Sequence, residues 1–238
     1  MAVVVNGAHR DRVVRLVAAF GPDVARLCDA CVAVLPGVDG AGLTVMTAQP
    51  GQHVRYTSDP ISAQIEELQL TLGEGPCQDA HTTGQPILAA DLGDVRWQRH
   101  WPVFSGEALK AGAGAVFALP LHVGVVRLGV IDLYRTDPGV LAGDELSEAL
   151  AFADAAIELM LAEQLPGAVP GGDQPFAHRA VVHQATGMVS AQLGIPMAQV
   201  FLRLRARAYA DEIGLDELAR EVVERRLRFT AADTDGES

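Results

Sequence analysis

A proline- and glycine-rich segment at residues 166–175 divides this chain of 238 residues into two unequal parts. Six of its ten residues are proline or glycine, and it shows no hydrophobic periodicity. Such a composition favours a partly stiff linker over a helix or a strand. We therefore predict a domain boundary here, with a larger unit over residues 11–165, a smaller unit over residues 176–229 and a disordered acidic tail over residues 230–238.

The composition is that of a globular protein. Hydrophobic residues make up 49% of the chain and charged residues 20%, a balance that argues against intrinsic disorder. No apolar run in the sequence approaches the roughly 18 residues needed to span a bilayer, and the first residues lack the basic and apolar regions of a signal peptide. Three cysteines are too few for a disulfide scaffold and suit a reducing compartment. The sequence therefore predicts a soluble, cytoplasmic protein.

The net charge of −12 is unevenly distributed along the chain. Residues 1–177 carry 10 basic residues against 21 acidic ones, whereas residues 178–229 carry 8 arginines against 6 acidic residues. All of the basic excess therefore lies in the smaller unit. An acidic body joined to an arginine-rich unit is compatible with binding of a polyanion by that unit alone.

Apolar periodicity in the larger unit predicts an α+β fold. Helical stripes occur before residue 35, over residues 61–73 and over residues 143–165, and the Gly21-Pro22 pair interrupts the first of them. Strand-like runs occur over residues 41–48, 52–57 and 86–90 and on both sides of Gly124. This order predicts an antiparallel sheet with helices packed on one face.

Residues 11–165 resemble a GAF domain. The resemblance is carried by the strand AGLTVMT, the loop GEGPC with the strand that follows it, the two runs around Gly124 and the closing helix. GAF domains bind small ligands between the sheet and its covering loops, so the resemblance implies an unknown small-molecule effector. The candidate lining residues are Glu74, Cys77, Asp79, His81, Trp97, Trp101 and Asp132.

Cysteine and histidine spacing favours neither a metal nor a resident cofactor. Cys28 and Cys31 form a C-x-x-C pair, but no second pair of cysteines or histidines stands nearby in the sequence. We predict that both pack as small apolar residues on one face of a helix. Cys77 stands at the start of a predicted helix, whose N-terminus would lower the pKa of the thiol. This permits a redox role, although a buried structural cysteine is the favoured interpretation.

The smaller unit contains three amphipathic helical patterns, separated by turns at Gly194 and Gly214. In the second pattern, one arc of the helical wheel is apolar and is predicted to face the core; it holds Met197, Val200, Phe201, Leu204 and Ala208. Arginines flank this arc, and a tyrosine lies on the outward face. Charge alone leaves open whether the arginines bind an anionic partner or form a solvated surface neutralised by nearby acidic residues.

Residues 176–229 resemble an ANTAR domain, the three-helix RNA-binding module of transcription antitermination regulators. The matching patterns are Ala185-x-Gly187-Met188, the stretch 204–208 and Leu215-x-x-Leu218-Ala219. The resemblance implies that a homodimer binds paired RNA hairpins and prevents a competing terminator from forming. The residues suited to phosphates and stacked bases are Arg179, Arg203, Arg205, Arg207 and Tyr209.

The two resemblances together indicate a signal-responsive regulator of a recurring bacterial, notably actinobacterial, arrangement. Thr186 stands where many family members have a lysine, so one expected basic contact is missing. The helix over residues 143–165 is the predicted dimerisation element, and the first helix of the larger unit is a second candidate contact. Packing of the helix 143–165 on its own sheet is the alternative.

Three other functions are compatible with parts of the sequence. A few GAF domains are reductases that use loop cysteines, but Cys77 has no evident resolving cysteine beside it. A DNA-binding helix-turn-helix would place the third helix in a groove, and its acidic residues suit that poorly. The smaller unit could also bind only protein. We therefore predict an RNA-binding regulator of transcription antitermination that is not an enzyme.

Overall fold

Five antiparallel strands form the centre of the larger domain in the computed structural model, which describes residues 7–20, 23–46, 52–163 and 176–229. The strands are β1 (Gly40–Met46), β2 (Gln52–Thr57), β3 (Ile87–Ala89), β4 (Ala115–Val123) and β5 (Val126–Arg135). Their order across the sheet is β2-β1-β5-β4-β3. The predicted linker at 166–175 and the predicted tail at 230–238 lie outside the described residues, so their structure stays a prediction.

Seven helices of the described chain precede residue 164, and three follow it. The first group is α1 (Gly7–Phe20), α2 (Val24–Val34), α3 (Pro60–Leu72), α4 (Pro76–Thr83), α5 (Val95–His100), α6 (Phe104–Ala111) and α7 (Gly143–Ala162). The second group is α8 (Phe176–Leu193), α9 (Met197–Ala210) and α10 (Leu215–Val223).

Helices cover both faces of the sheet, and the expectation of helices on one face is wrong. Phe117 and Leu119 of β4 point into a core shared with α1, α2 and α7. The intervening Val116 and Ala118 point to the opposite face, into clusters with α3, α4, α5 and α6. The physical reason is that successive residues are buried over 115–119 in β4 and over 129–134 in β5, and because neighbouring side chains point to opposite faces, both faces of these strands are covered.

The C-x-x-C pair belongs to the core between α2 and the sheet. Asp23 caps α2, because its Oδ1 accepts from the backbone N–H of Ala25 at 3.0 Å and of Arg26 at 3.2 Å. One turn later, Cys28 and Cys31 are fully buried. Burial raises the pKa of the Cys28 thiol to about 12. The prediction that these cysteines pack as apolar residues is confirmed.

Helix α7 is enclosed within its own chain. Its buried residues contact the sheet and α2, and α1 lies along its other side. Two ion pairs join α1 to α7: Arg12 Nη1 lies 2.6 Å from Glu148 Oε2, and His9 Nε2 lies 2.7 Å from Asp154 Oδ2. In the single chain, α7 therefore packs on its own sheet, as the alternative interpretation of this helix predicted.

Helix α3 is held at both ends by local sequence signals. At its start, Asp59 Oδ1 accepts from the N–H of Ser62 at 3.0 Å, and Ser62 Oγ accepts from the N–H of Asp59 at 3.1 Å. At its end, Gly73 adopts a left-handed conformation with φ 67°. These caps fix the position of α3, which lines a buried recess of the larger domain and also contacts the C-terminal domain.

The C-terminal domain is a three-helix unit with its own apolar core. Val200, Leu204 and Ala208 of α9 are fully buried, which confirms the predicted inward face. Helices α8 and α10 complete the core with Ala185, Val189, Leu215, Leu218, Ala219 and Val222, and Phe229 packs against it. Small alanines at the helix contacts let these short helices approach closely.

Candidate functional site

A buried polar recess lies between α3, α4 and the sheet of the larger domain. Its side chains come from four elements and are each at most 4% exposed: Thr44 from β1, Glu66 and Gln69 from α3, Cys77 from α4 and Asp132 from β5. Gly42 of β1 makes room for this arrangement, because a Cβ at that position would collide with Glu66 Oε1.

Neutral donors fix one oxygen of each carboxylate. Thr44 Oγ1 donates to Glu66 Oε2 at 2.6 Å, and Gln69 Nε2 lies 3.3 Å from Asp132 Oδ2. Gln69 also accepts through its Oε1 from the backbone N–H of Cys77 at 2.7 Å, which fixes the start of α4. The remaining oxygens, Glu66 Oε1 and Asp132 Oδ1, are buried and receive no hydrogen bond from any described residue outside the group of Glu66, Cys77 and Asp132.

Burial dominates the acid–base properties of the recess. It raises the pKa of Asp132 from its ordinary value of 3.8 to about 6, although the hydrogen bonds to this carboxyl act the other way. Burial and the neighbouring Asp132 charge also raise the pKa of Glu66 well above its usual range. The pKa of Cys77 is raised by burial and then by both acids. The expected lowering of that pKa by the N-terminus of α4 is therefore wrong, because desolvation outweighs it, whereas the favoured burial of Cys77 is confirmed.

The recess is small. The space beside Thr44, Glu66, Gln69 and Cys77, including its open mouth, is about 180 Å³. Pockets for organic ligands usually measure about 300–1,000 Å³. In this conformation the recess is too narrow to hold a water molecule, so the side chains must move before an organic ligand can enter.

Three other predicted ligand residues, Asp79, Trp97 and Trp101, form a second group. In this group Asp79 Oδ2 contacts two aromatic side chains. His100 Nε2 lies 2.6 Å from this oxygen, and Trp101 Nε1 donates to it at 3.2 Å. Trp97 stacks on Trp101 with ring centroids 4.6 Å apart, as their four-residue spacing predicts.

Two predicted ligand residues do not join either group. Glu74 Oε1 accepts from the backbone N–H of Val103 and of Phe104 at 2.8 and 2.7 Å, so it caps the start of α6. His81 is partly buried on α4, and burial lowers its pKa. The predicted set is therefore dispersed, and Cys77 and Asp132 are the members that the recess brings together.

Glu66, Gln69 and Thr44 were missed by the sequence-based prediction. Glu66 stands beside Glu67 in the sequence, and the two differ only in which side of α3 they occupy. A usable signal was present: Ser62, Glu66 and Gln69 repeat at helical spacing and form one polar stripe, and all three are buried.

The opposite side of the same helix contacts the C-terminal domain. Arg205 Nε of α9 donates to the main-chain carbonyl of Thr71 at 2.7 Å. Glu67 Oε1 accepts from the backbone N–H of Leu215 at 2.6 Å and so caps α10. Leu70 packs into the core of the C-terminal domain and also lines the recess. Helix α3 therefore connects the recess to the arginine-rich domain.

Arg205 lies against the C-terminal end of α3, where the last carbonyls carry partial negative charge. A Cβ on Gly73 would collide with its guanidinium, so the glycine that ends α3 also makes space for this contact. Burial lowers the pKa of Arg205. One predicted RNA-binding residue is thus engaged by the larger domain.

The remaining predicted RNA-binding residues differ in exposure. Tyr209 is 51% exposed, and Arg207 is exposed with its Nε 2.5 Å from Asp211 Oδ2. Arg203 is partly buried, and its Nη1 has no hydrogen-bond partner among the described residues. The side chain of Arg179 lies outside the described part of the chain. Thr186 is buried and donates to the Val182 carbonyl at 2.7 Å, so position 186 does not face solvent here.

A family model described as GAF domain matches residues 24–157, which is more than half of the chain. The chain belongs to the GAF domain family. A second model, described as ANTAR domain, matches residues 174–223. A GAF domain followed by an ANTAR domain is the arrangement of a sensor-regulated, RNA-binding regulator of transcription antitermination, and the recess and the arginine-rich helices lie in the matching domains.

Two solved GAF domains share this fold at low sequence identity. The GAF domain of a phosphoenolpyruvate-protein phosphotransferase from Coxiella burnetii has a TM-score of 0.51 and 16% identity over 68% of this chain and 97% of its own. The corresponding domain from Acinetobacter has a TM-score of 0.50 and 10% identity over 69% and 99%. A search of curated proteins found no match. In the part of the GAF–ANTAR chain that the structure describes, no helix is long and apolar enough to cross a membrane.

Proposed function

We propose that this chain is a cytoplasmic antitermination regulator whose ANTAR domain binds paired RNA hairpins under control of the GAF recess. The observation that carries this proposal is the position of α3. One side of the helix lines the recess through Glu66 and Gln69, and its C-terminal end holds Arg205 through the Thr71 carbonyl. A signal that changes the recess therefore acts on a helix that contacts the proposed RNA-binding surface.

The docked domain is the low-affinity state in this proposal. Arg205 is occupied by α3, and the acidic GAF domain lies beside the ANTAR helices, where it repels RNA phosphates. Displacement of α3 frees Arg205 to join Arg203 and Arg207 at phosphates, while Tyr209 stacks on an unpaired base. Arg179 adds a further positive charge from α8. The stimulus at the recess is a small ligand or a redox change.

The active complex contains two copies of the chain, with one ANTAR domain on each hairpin. Since α7 is enclosed by the sheet, α1 and α2 of its own chain, we assign the dimer contact to the outward side of α1. Val14 lies on that side and is 59% exposed. Sedimentation of the wild type and of Val14→Glu, with and without RNA, tests this assignment; an unchanged dimer in the variant would contradict it.

The proposal assigns no enzymatic activity to the GAF domain. A cysteine reductase needs a second thiol close to the first. Cys77 faces the α3 and α4 side of the sheet, whereas Cys28 and Cys31 lie in the core on the other side. These are the three cysteines of the chain, so a thiol exchange partner is absent beside Cys77.

Titration with nucleic acid tests the proposal. A synthetic RNA of two adjacent hairpins and a DNA duplex of equal charge are titrated at several salt concentrations with the wild type and with Arg203→Ala/Arg207→Ala/Tyr209→Ala. We expect the wild type to prefer the RNA and the triple variant to bind it at least tenfold more weakly. Equal affinity for RNA and DNA at low salt would contradict the function, and equal RNA affinity of the two proteins would contradict the residue assignment.

A further inference from the structure

We infer that the recess of the GAF domain is a Zn²⁺ site whose protein ligands are Glu66 Oε1, Cys77 Sγ and Asp132 Oδ1. One carboxylate oxygen of each acid and the Cys77 sulfur lie within 4.8 Å of one another, and we assign the carboxylate ligands to the oxygens that lack an outside donor. A tetrahedral Zn²⁺ places its donors about 3.3–3.8 Å apart. Small side-chain rotations therefore close the group around an ion, and the fourth position is left for water or another small ligand.

The two carboxylates are already oriented for such an ion. The outer oxygens, Glu66 Oε2 and Asp132 Oδ2, lie within hydrogen-bond distance of Thr44 Oγ1 and Gln69 Nε2. The other oxygens are buried and have no donor among the described residues outside the three proposed ligands. Neutral partners that hold the outer atom of a ligand while leaving the inner atom free are the usual second layer of a metal site.

A bound cation would also compensate the negative charge of the two buried carboxylates when they are ionised. Glu66 and Asp132 are 2% and 3% exposed, and no described lysine, arginine or histidine forms an ion pair with either carboxylate. Buried carboxylates are stabilised by pairing or by coordination of a metal. The plain alternative is a proton shared between the two acids, which would satisfy the same pair of free oxygens without any metal.

The chemistry of the three ligand residues favours Zn²⁺ over other common metal ions. A thiolate is a poor ligand for Mg²⁺ and Ca²⁺, which take six or more oxygens. Carboxylates disfavour Cu⁺, which takes soft sulfur ligands. One sulfur, two oxygens and an open fourth position match Zn²⁺.

The site has a consequence for the ANTAR domain that rests on the proposed function, whereas metal binding itself does not. Coordination draws Glu66 towards Cys77 and Asp132, and so moves α3 towards the sheet. Arg205 and Leu215 hold the other side of α3 through the Thr71 carbonyl and Glu67 Oε1. Zn²⁺ therefore weakens the docking contacts and raises RNA affinity.

The test uses the full chain after removal of metals with a chelator. Titration with Zn²⁺ alone, in competition with a chromophoric chelator, is expected to show one tight site per chain. Cys77→Ser, Glu66→Gln and Asp132→Asn are each expected to weaken it more than about tenfold. Cys28→Ser, which removes a buried thiol on the other side of the sheet, is the matched control and is expected to bind Zn²⁺ as the wild type does. Far-ultraviolet circular dichroism verifies that each variant is folded.

A spectroscopic measurement on the wild type needs no variant. Co²⁺ added in place of Zn²⁺ is expected to give the charge-transfer absorption of a metal thiolate, because Cys77 is a ligand. Absence of tight Zn²⁺ binding, retention of binding in Cys77→Ser, or a Co²⁺ spectrum without thiolate absorption would each overturn the metal site and favour the shared proton.

RNA titration distinguishes Zn²⁺ binding from the effect of Zn²⁺ on RNA affinity. In the wild type, Zn²⁺ is expected to raise affinity for the two-hairpin RNA at least threefold, and in Cys77→Ser it is expected to have no effect. Zn²⁺ binding with unchanged RNA affinity would overturn the coupling through α3. Zn²⁺ binding in a chain with no RNA affinity would contradict the proposed function and leave the metal site supported.

Discussion

Arg205 of the ANTAR domain donates to the Thr71 carbonyl of the GAF domain across 2.7 Å. The carbonyl belongs to the last turn of α3, where backbone acceptors have no partner within the helix. The contact therefore gives the Thr71 carbonyl a hydrogen-bond donor and gives the Arg205 guanidinium an acceptor. Because Arg205 is also a predicted RNA contact, the docked arrangement and the RNA complex compete for one side chain.

The cysteines are expected to be unreactive in the native protein. Cys28, Cys31 and Cys77 are at most 1% exposed, and burial raises the pKa of each thiol. Since the thiolate is the reactive form, a disulfide reagent should modify the native chain slowly and the denatured chain at all three positions. Rapid modification of native Cys77, mapped by mass spectrometry, would contradict this result and favour the redox form of the signal.

The metal-free protein is expected to lose stability as pH rises. Because the pKa of Asp132 is raised from 3.8 to about 6 in the folded state, its contribution is fully present below pH 3.8 and is lost as pH rises through about 6. At one pKa unit per 1.36 kcal/mol, the loss is on the order of 3 kcal/mol.

Urea unfolding in a chelator at pH 3.5 and pH 8 (roughly below and above this window) measures this effect. Asp132→Asn should show a smaller fall in the free energy of unfolding than the wild type. Asp137→Asn, which changes an exposed acid, is the control and should behave as the wild type does. Parallel pH profiles for the wild type and Asp132→Asn would contradict the burial argument.

Arg207→Ala is expected to weaken RNA binding by about 1 kcal/mol, or roughly fivefold, because one phosphate contact is lost. The slope of log affinity against log salt should become shallower by about 0.7–0.9, since one fewer counterion is released. Arg99→Ala removes an exposed arginine of the GAF domain and should leave both quantities unchanged. An unchanged salt slope in Arg207→Ala would exclude this arginine from the RNA surface.

Most secondary structure could be predicted because the apolar periodicities are regular. The inward face of α9 and the placement of Trp97 and Trp101 on one side of the chain follow from spacing alone. The second covered face of the sheet is readable in the continuous apolar run of β4, whereas Arg127 and Asp132 interrupt the run of β5.

The recess and the domain contact could be predicted only in part. Glu66 and Glu67 are adjacent acids in an amphipathic helix, and a rotation of about 100° decides which is buried and which reaches α10. Cys77 and Asp132 were among the candidates because the GAF resemblance implies a ligand site between the sheet and its covering loops. Docking of Arg205 depends on how the GAF and ANTAR domains pack against each other. Hydrophobic periodicity within either domain does not indicate that contact.

The central claim is that docking of the ANTAR domain on α3 restrains RNA binding, and two matched glycines test it. Gly73 and Gly84 both end a helix with φ 67° and ψ 23°, so alanine introduces the same backbone strain at either position. A Cβ at Gly73 would collide with the Arg205 guanidinium, whereas a Cβ at Gly84 would meet nothing within 4 Å. The substitutions therefore differ in the domain contact.

The deciding measurement is the dissociation constant for the two-hairpin RNA of the wild type, Gly73→Ala and Gly84→Ala in a chelator. Loss of a docking contact of about 1 kcal/mol corresponds to roughly fivefold tighter binding. We expect that gain in Gly73→Ala and an unchanged constant in Gly84→Ala. Equal affinities in all three proteins, or weaker binding by Gly73→Ala alone, would contradict the claim that α3 holds the ANTAR domain in its low-affinity state.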